Sequence, residues 1–174
     1  MRPLGLAALR ELAPHAVAHP RPFLGELVVS ADSLSRLVPH VNNTEYLRWL
    51  DRVAELHAEN VGCGREMLLA SGCAWFVARH EIDYLAECWE DERLVVATWV
   101  RTMRKTTSWR DTIVVRPADA TLVCRASTLW AYVDLATRRA VRAPDAMSEA
   151  FDVLQGPAGA ETLGAPSRTT MDPA

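Results

Sequence analysis

The sequence has few cysteines and glycines: four Cys and eight Gly among 174 residues. No two cysteines form a Cys-x-x-Cys pair, which excludes a zinc ribbon and a thioredoxin-type redox motif. The low glycine content excludes a collagen-like chain. A chain of this length buries enough surface to fold without disulfide bonds. We therefore expect reduced, packed thiols, as is typical of a cytoplasmic protein.

Neither an excess of positive charge nor a long hydrophobic run is present. Nineteen Lys and Arg stand against 22 Asp and Glu, which gives a net charge of -3, so we expect no nucleic-acid partner. The longest uncharged run of the core, residues 67–78, is shorter than the roughly 20 residues that cross a bilayer. The apolar run at residues 4–9 is too short for a signal peptide. We expect no membrane association.

Hydrophobic residues make up 49% of the chain, which favours a single globular domain. Pro and Ala are frequent up to residue 20, and Gly, Pro, Ala, Ser and Thr dominate the last residues. This composition predicts an N-terminal extension at 1–20, one domain at 21–154 and a flexible C-terminal tail at 155–174.

The periodicity of apolar residues predicts one long helix and five strands. Apolar residues recur every three or four positions from Tyr46 to Val61, which indicates a helix that begins after Asn42 and ends near Gly62 or Gly64. Runs rich in Val, Thr, Ile, Trp and Tyr predict strands at 22–30, 72–84, 93–103, 106–116 and 121–134. Four consecutive strands without a helical crossover indicate an antiparallel sheet. A short helix is expected within 144–154.

Polar residues gather where this helix begins, in the segment 39–51, and two interpretations are open. In the first, Asn42 or Asn43 caps the helix, His40 packs beside it and Asp51 lies on a solvated face. In the second, the backbone N–H groups of the first turn, at Val41 to Asn43, stabilise an oxyanion. Asp51 then acts as general base or nucleophile, and His40 and Asn42 orient the substrate and water.

The motif HVNNTEYLRW at residues 40–49 resembles the H-V-N-N-x-x-Y-L-x-W motif of hot-dog-fold acyl-CoA and acyl-ACP thioesterases. Residues 75–100 are similar to that family's second and third strands, and residues 129–144 to its last strand and closing segment. The resemblance implies an α+β fold in which a curved antiparallel sheet wraps around one long central helix. It also implies hydrolysis of an acyl-CoA or acyl-ACP thioester, as in fatty acid metabolism, by a homodimer or homotetramer. The sites would lie at the subunit interface and need no metal or other cofactor.

The chain departs from this family just upstream of the motif His. Many relatives carry an Asp four or six residues before the motif His, whereas this chain has Arg36 and Leu34 there. The nearest upstream carboxylate is Asp32, so Asp51 is the better candidate for the catalytic carboxylate. Loss of the upstream acid also leaves open a non-catalytic protein that binds acyl-CoA or a protein partner.

Cations near the turn between two strands offer a second candidate for substrate binding. Arg101, Arg104 and Lys105 could contact the phosphates of coenzyme A or an acidic carrier protein, since guanidinium and ammonium groups form charge-assisted hydrogen bonds with phosphate oxygens. A solvated turn is the alternative interpretation.

Overall fold

A six-stranded antiparallel sheet forms most of this computed structural model, which describes residues 1–12, 15 and 17–153. The strands are β1 (Arg2–Leu4), β2 (Phe23–Val28), β3 (Cys73–Tyr84), β4 (Arg93–Met103), β5 (Thr107–Arg116) and β6 (Thr121–Asp134). Their order across the sheet is β1-β2-β4-β5-β6-β3, and every neighbouring pair is antiparallel. The predicted α+β class, an antiparallel sheet with one long helix, is confirmed.

The long helix α1 (Asn43–Asn60) begins and ends where the sequence predicts. The Asn42 side chain accepts a hydrogen bond from the Thr44 backbone N–H at 3.0 Å, so Asn42 is the N-cap. Glu45 does not complete a capping box, because it pairs with Arg48 at 2.8 Å. Gly62 follows the helix with a φ of 74°, a left-handed conformation that costs glycine little and ends the helix.

The apolar stripe of α1 packs on one face of the sheet, which we call the concave face. Tyr46, Trp49 and Val53 of the helix join Val96 of β4 and Val114 of β5 in one buried cluster. Val53 and Val96 are both fully buried. Because side chains alternate along a strand, Val95 and Val115 point to the opposite, convex face, where they are also buried.

The convex face is covered by the N-terminal segment that we predicted to be an extension. Strand β1 pairs with β2, with Pro3 opposite Gly25, and a 3-10 helix follows at Leu6–Leu12. Leu12 is only 1% exposed and packs with Leu24 and Trp99. The composition of this segment did not reveal these contacts, since its apolar side chains find partners only on the folded sheet.

Two short α-helices and a second 3-10 helix, Ala31–Ser33, complete the described chain. Helix α2 (Arg65–Ala70) follows α1 and was not anticipated. Helix α3 (Asp145–Ala150) lies within the predicted interval 144–154. The predicted C-terminal tail lies outside the described residues.

The N-terminal contacts generate a stability prediction. We expect Leu12→Ala to lower the free energy of unfolding by about 2–5 kcal/mol, because it empties a buried site. Leu6→Ala is the matched control on the same 3-10 helix, since Leu6 is 49% exposed, and should change stability by less than about 0.5 kcal/mol. Chemical denaturation measures both, and equal effects would contradict this packing.

Candidate active site

A cavity of about 560 Å³ lies between α1, α2 and the concave face of the sheet. Its apolar wall includes Ala54 and Ala58 of α1, Leu68 of α2, and Val100 and Trp130 of the sheet. Apolar walls with a few polar groups are typical of small-molecule sites. The polar groups of the wall therefore show which ligands the cavity can take.

Asp51 is one of these polar groups, and it lies on α1 at the edge of the cavity. Partial burial and the neighbouring Glu55 carboxylate raise its pKa above the ordinary value, while His80 opposes the shift. A raised pKa makes a carboxylate a stronger base toward water. The predicted carboxylate thus lies at the cavity.

His80 of β3 interacts electrostatically with Asp51 of α1. Its Nδ1 lies 3.0 Å from the Thr128 hydroxyl. Burial lowers the pKa of His80, and the Asp51 carboxylate opposes this shift. No signal in the sequence connects these two residues, because their interaction depends on how α1 packs against the folded sheet.

At the start of α1, two of the three predicted oxyanion donors already have partners. The Val41 backbone N–H donates to the Cys88 carbonyl and the Asn42 N–H to the Ser33 carbonyl, both at 2.9 Å. Within the described residues, the Asn43 N–H has no partner outside the helix, and as the first helical residue it has none inside. Asn43 thus offers the available donor.

His40 lies beside this helix start. Its backbone N–H donates to the Val38 carbonyl at 2.8 Å. Its Nδ1 is buried, with no hydrogen-bond partner within the described residues. The imidazole therefore has hydrogen-bonding capacity that this part of the fold does not use.

The helix start and Asp51 are not brought together within one chain. Eight residues separate Asn43 from Asp51, which places them about 12 Å apart along the helix axis. The residues lining the cavity include Asp51 but not His40, Val41, Asn42 or Asn43. A single site that uses both regions would need a second subunit.

The predicted cations of the β4–β5 turn differ in their exposure to solvent. Arg104 and Lys105 are exposed and directly follow Met103, which lines the cavity. Arg101 is buried instead, and its Nε lies 2.9 Å from an Asp111 carboxylate oxygen. The expectation that Arg101 could meet phosphates is therefore wrong, because its guanidinium neutralises a buried carboxylate.

A second buried arginine, Arg110 of β5, lines the cavity and was not singled out from the sequence. Its Nη1 lies 2.9 Å from His57 Nδ1 and 3.3 Å from the Thr98 hydroxyl oxygen, and its guanidinium lies over the Phe151 ring. Burial lowers the pKa of Arg110 to about 10. Burial, Arg110 and His19 lower the pKa of His57 to about 3. His57 is therefore neutral and accepts the hydrogen bond.

A pattern in the sequence could have revealed Arg110. Alternate residues of β5 point to one face, so Arg110 and Thr112 lie on the same concave face as the buried Val114. A charged residue on a buried strand face requires a partner. His57 likewise lies on the apolar stripe of α1.

No group of three or more His, Cys, Asp or Glu side chains among the described residues could hold a metal ion. None of the helices described is long and apolar enough to cross a membrane.

The model of the thioesterase-like superfamily matches residues 38–151, well over half of the chain. The chain therefore belongs to the thioesterase-like superfamily, and the resemblance noted in the sequence is confirmed. No curated protein sequence matches the chain.

Solved structures similar to this chain are hot-dog-fold proteins. A 1,4-dihydroxy-2-naphthoyl-CoA thioesterase from Synechocystis has a TM-score of 0.70 and 19% identity, and the match covers 78% of this chain and 99% of that one. A Staphylococcus aureus protein solved in complex with CoA has a TM-score of 0.71 at 13% identity, covering 84% and 96%. An acyl-ACP thioesterase from Bacteroides thetaiotaomicron has a TM-score of 0.68 at 19% identity, covering 86% and 59%. At these identities the likeness establishes the hot-dog fold.

The environment of His57 generates a pH prediction. Its pKa is lower in the folded chain, about 3, than the roughly 6.5 of an unfolded chain. As pH falls below about 6.5, the unfolded chain gains a proton at this residue that the folded chain does not, so stability decreases by up to about 1.4 kcal/mol per pH unit. His57→Gln removes this titration. Between about pH 7 and pH 5, we therefore expect the free energy of unfolding to fall by about 2 kcal/mol less in His57→Gln than in the parent. Chemical denaturation at both pH values tests this, and parallel losses in both proteins would contradict it.

Proposed function

We propose that this protein hydrolyses an acyl thioester of coenzyme A or of an acyl carrier protein, in the cytoplasm. The observation that carries the proposal is Asp51, a carboxylate of raised pKa at the edge of an apolar cavity in a chain of the thioesterase-like superfamily. The cavity accommodates the acyl group. The Asp51 carboxylate lies at the edge of the cavity, where water can reach the thioester carbonyl.

In the proposed reaction, Asp51 removes a proton from water as the water oxygen attacks the thioester carbonyl carbon. The carbonyl oxygen gains negative charge, and the Asn43 N–H at the positive end of a helix dipole stabilises it. Collapse of the tetrahedral intermediate breaks the carbon–sulfur bond. The thiolate leaves and takes up the proton that Asp51 removed from water, so the products are a carboxylic acid and a free thiol, and the Asp51 carboxylate is regenerated.

This reaction requires two subunits, because Asn43 and Asp51 of one chain are about 12 Å apart along α1. We propose a homodimer, alone or within a tetramer, in which the helix start of one subunit approaches the cavity of its partner. Strand β3 is an edge strand of the sheet, and Phe76 and Val77 on it are exposed. An exposed edge with apolar side chains favours pairing with a second copy.

Groups around the helix start would position the substrate. The Tyr84 hydroxyl donates to the Asn43 carbonyl at 3.5 Å and thereby supports the first turn. His40 and Asn42 would contact the thioester, the water or the partner subunit.

Arg104 and Lys105 are exposed beside the cavity, where their charges suit the phosphates of coenzyme A or of a carrier protein's prosthetic arm.

The carboxylate is tested by comparing Asp51→Asn with Asp32→Asn. Asp51→Asn removes the base, so we expect thiol release from acyl-CoA or acyl-ACP to fall by about 10²–10⁴-fold. Asp32 does not line the cavity, and Asp32→Asn should retain the parent's rate. A thiol-detecting assay with a panel of acyl-CoAs and acyl-ACPs measures both. Loss of activity only in Asp32→Asn would reassign the base, and no thiol release by the parent would favour an acyl-binding protein without catalysis.

The oxyanion donor is tested by comparing Asn43→Pro with Asn43→Ala. Proline is tolerated at the first helical position and lacks the N–H, and the extended backbone of Asn42, at φ -67° and ψ 138°, suits a residue before proline. We expect Asn43→Pro to lower kcat by about 10²–10³-fold, whereas Asn43→Ala keeps the N–H and most of the activity.

Mixing Asn43→Pro with Asp51→Asn tests the two-subunit arrangement. A mixed dimer contains one site with both the intact donor and the intact carboxylate. Activity should therefore return after co-refolding the two inactive variants. Failure to recover activity in dimers shown to be mixed would place both groups in one subunit.

A further inference from the structure

The sheet buries two arginines, and their partners differ in charge. Arg101 pairs with the Asp111 carboxylate at 2.9 Å, and Asp111 also accepts a hydrogen bond from the Ser127 hydroxyl at 2.6 Å. Arg110 is just as buried, at 6% exposure, but no carboxylate among the described residues forms an ion pair with it. One buried cation is neutralised within the fold and the other is not.

The partners of Arg110 leave part of its guanidinium without a hydrogen bond. Nη1 alone contacts the neutral His57 ring and the Thr98 hydroxyl. Within the described residues, Nε and Nη2 have no hydrogen-bond acceptor. The hydrogen bond with His57 and the contact with the Phe151 ring hold the guanidinium in the cavity wall.

The three carboxylates that line the cavity, Asp51, Glu55 and Glu59, form no ion pair with Arg110. Glu55 pairs with Arg52 at 3.1 Å, and Glu59 is exposed at the end of α1. A buried guanidinium without an anion is costly, and ligand-binding sites retain such groups when the ligand supplies the anion. The missing charge therefore belongs to a molecule that enters the cavity.

We propose that Arg110 binds a carboxylate at the far end of the acyl group, so that the preferred substrates are thioesters of dicarboxylic acids. This inference rests on the proposed thioester hydrolysis and adds the class of acyl group. Two N–H groups of a guanidinium match the two oxygens of a carboxylate. Val100 and Trp130, which line the same cavity, would contact the apolar chain between the two ends.

The spacing along α1 predicts the length of the acyl group. Asp51 lies at the edge of the cavity, and His57 accepts the hydrogen bond of Arg110. The six residues from Asp51 to His57 span roughly 9 Å along the helix axis. A thioester carbonyl near Asp51 and a carboxylate near Arg110 would thus be joined by a chain of medium length, as in adipyl or suberyl thioesters.

The inference is tested by comparing suberyl-CoA with octanoyl-CoA, which have equally long chains and differ in the terminal carboxylate. We expect the parent to hydrolyse suberyl-CoA with at least a tenfold higher kcat/KM. Arg110→Met keeps a similar side-chain volume and removes the charge, so it should abolish this preference. Arg52→Met is the control, because Arg52 lines the same cavity from α1 and already pairs with Glu55. It should keep the parent's preference.

A binding measurement separates this inference from the proposed hydrolysis. Calorimetry with free suberate and octanoate should show suberate binding to the parent and to Arg52→Met, and at least tenfold weaker binding to Arg110→Met. If octanoyl-CoA is hydrolysed as fast as suberyl-CoA and suberate does not bind, the inference is overturned and the hydrolysis stands. If suberate binds through Arg110 but no thioester releases thiol, the carboxylate site stands and the hydrolysis is overturned.

Discussion

The packing of α1 against the concave face of the sheet is the contact on which the rest of the structure depends. Val53 is fully buried between helix and sheet, and the apolar stripe around it fixes which side of α1 faces inward. Because the stripe fixes the rotation of the helix, Asp51 is directed to the edge of the cavity and His57 to the sheet. The same contact thus forms the core and places the polar groups of the site.

The central strands β4 and β5 are buried on both faces, and this constraint explains where their charges lie. The N-terminal segment covers the convex face through Leu12, and α1 covers the concave face. A charged side chain on a central strand must then be paired or must line a cavity. Arg101 satisfies the first condition through Asp111, and Arg110 satisfies the second.

The division of the site between the start and the middle of α1 follows from helix geometry. The cap at Asn42 leaves the Asn43 N–H as the available donor of the first turn, whereas the carboxylate follows more than two turns later. One helix cannot bring both to the same carbonyl group. The proposed homodimer resolves this conflict, since a second helix can approach the cavity from its open side.

The sequence by itself determined the long helix, five of the six strands, the closing helix and the family. Runs rich in Val, Thr, Ile, Trp and Tyr predicted β4 and β6 at their observed bounds. Asn42 and Gly62 marked the two ends of α1. These signals are local and depend on backbone geometry. Only the tertiary structure decided that Arg101 is neutralised by Asp111, that Asp51 meets His80, and that Arg110 lines a cavity without an anion. These outcomes depend on which strands lie side by side, and residues distant along the chain acquire partners only when the sheet closes around the helix.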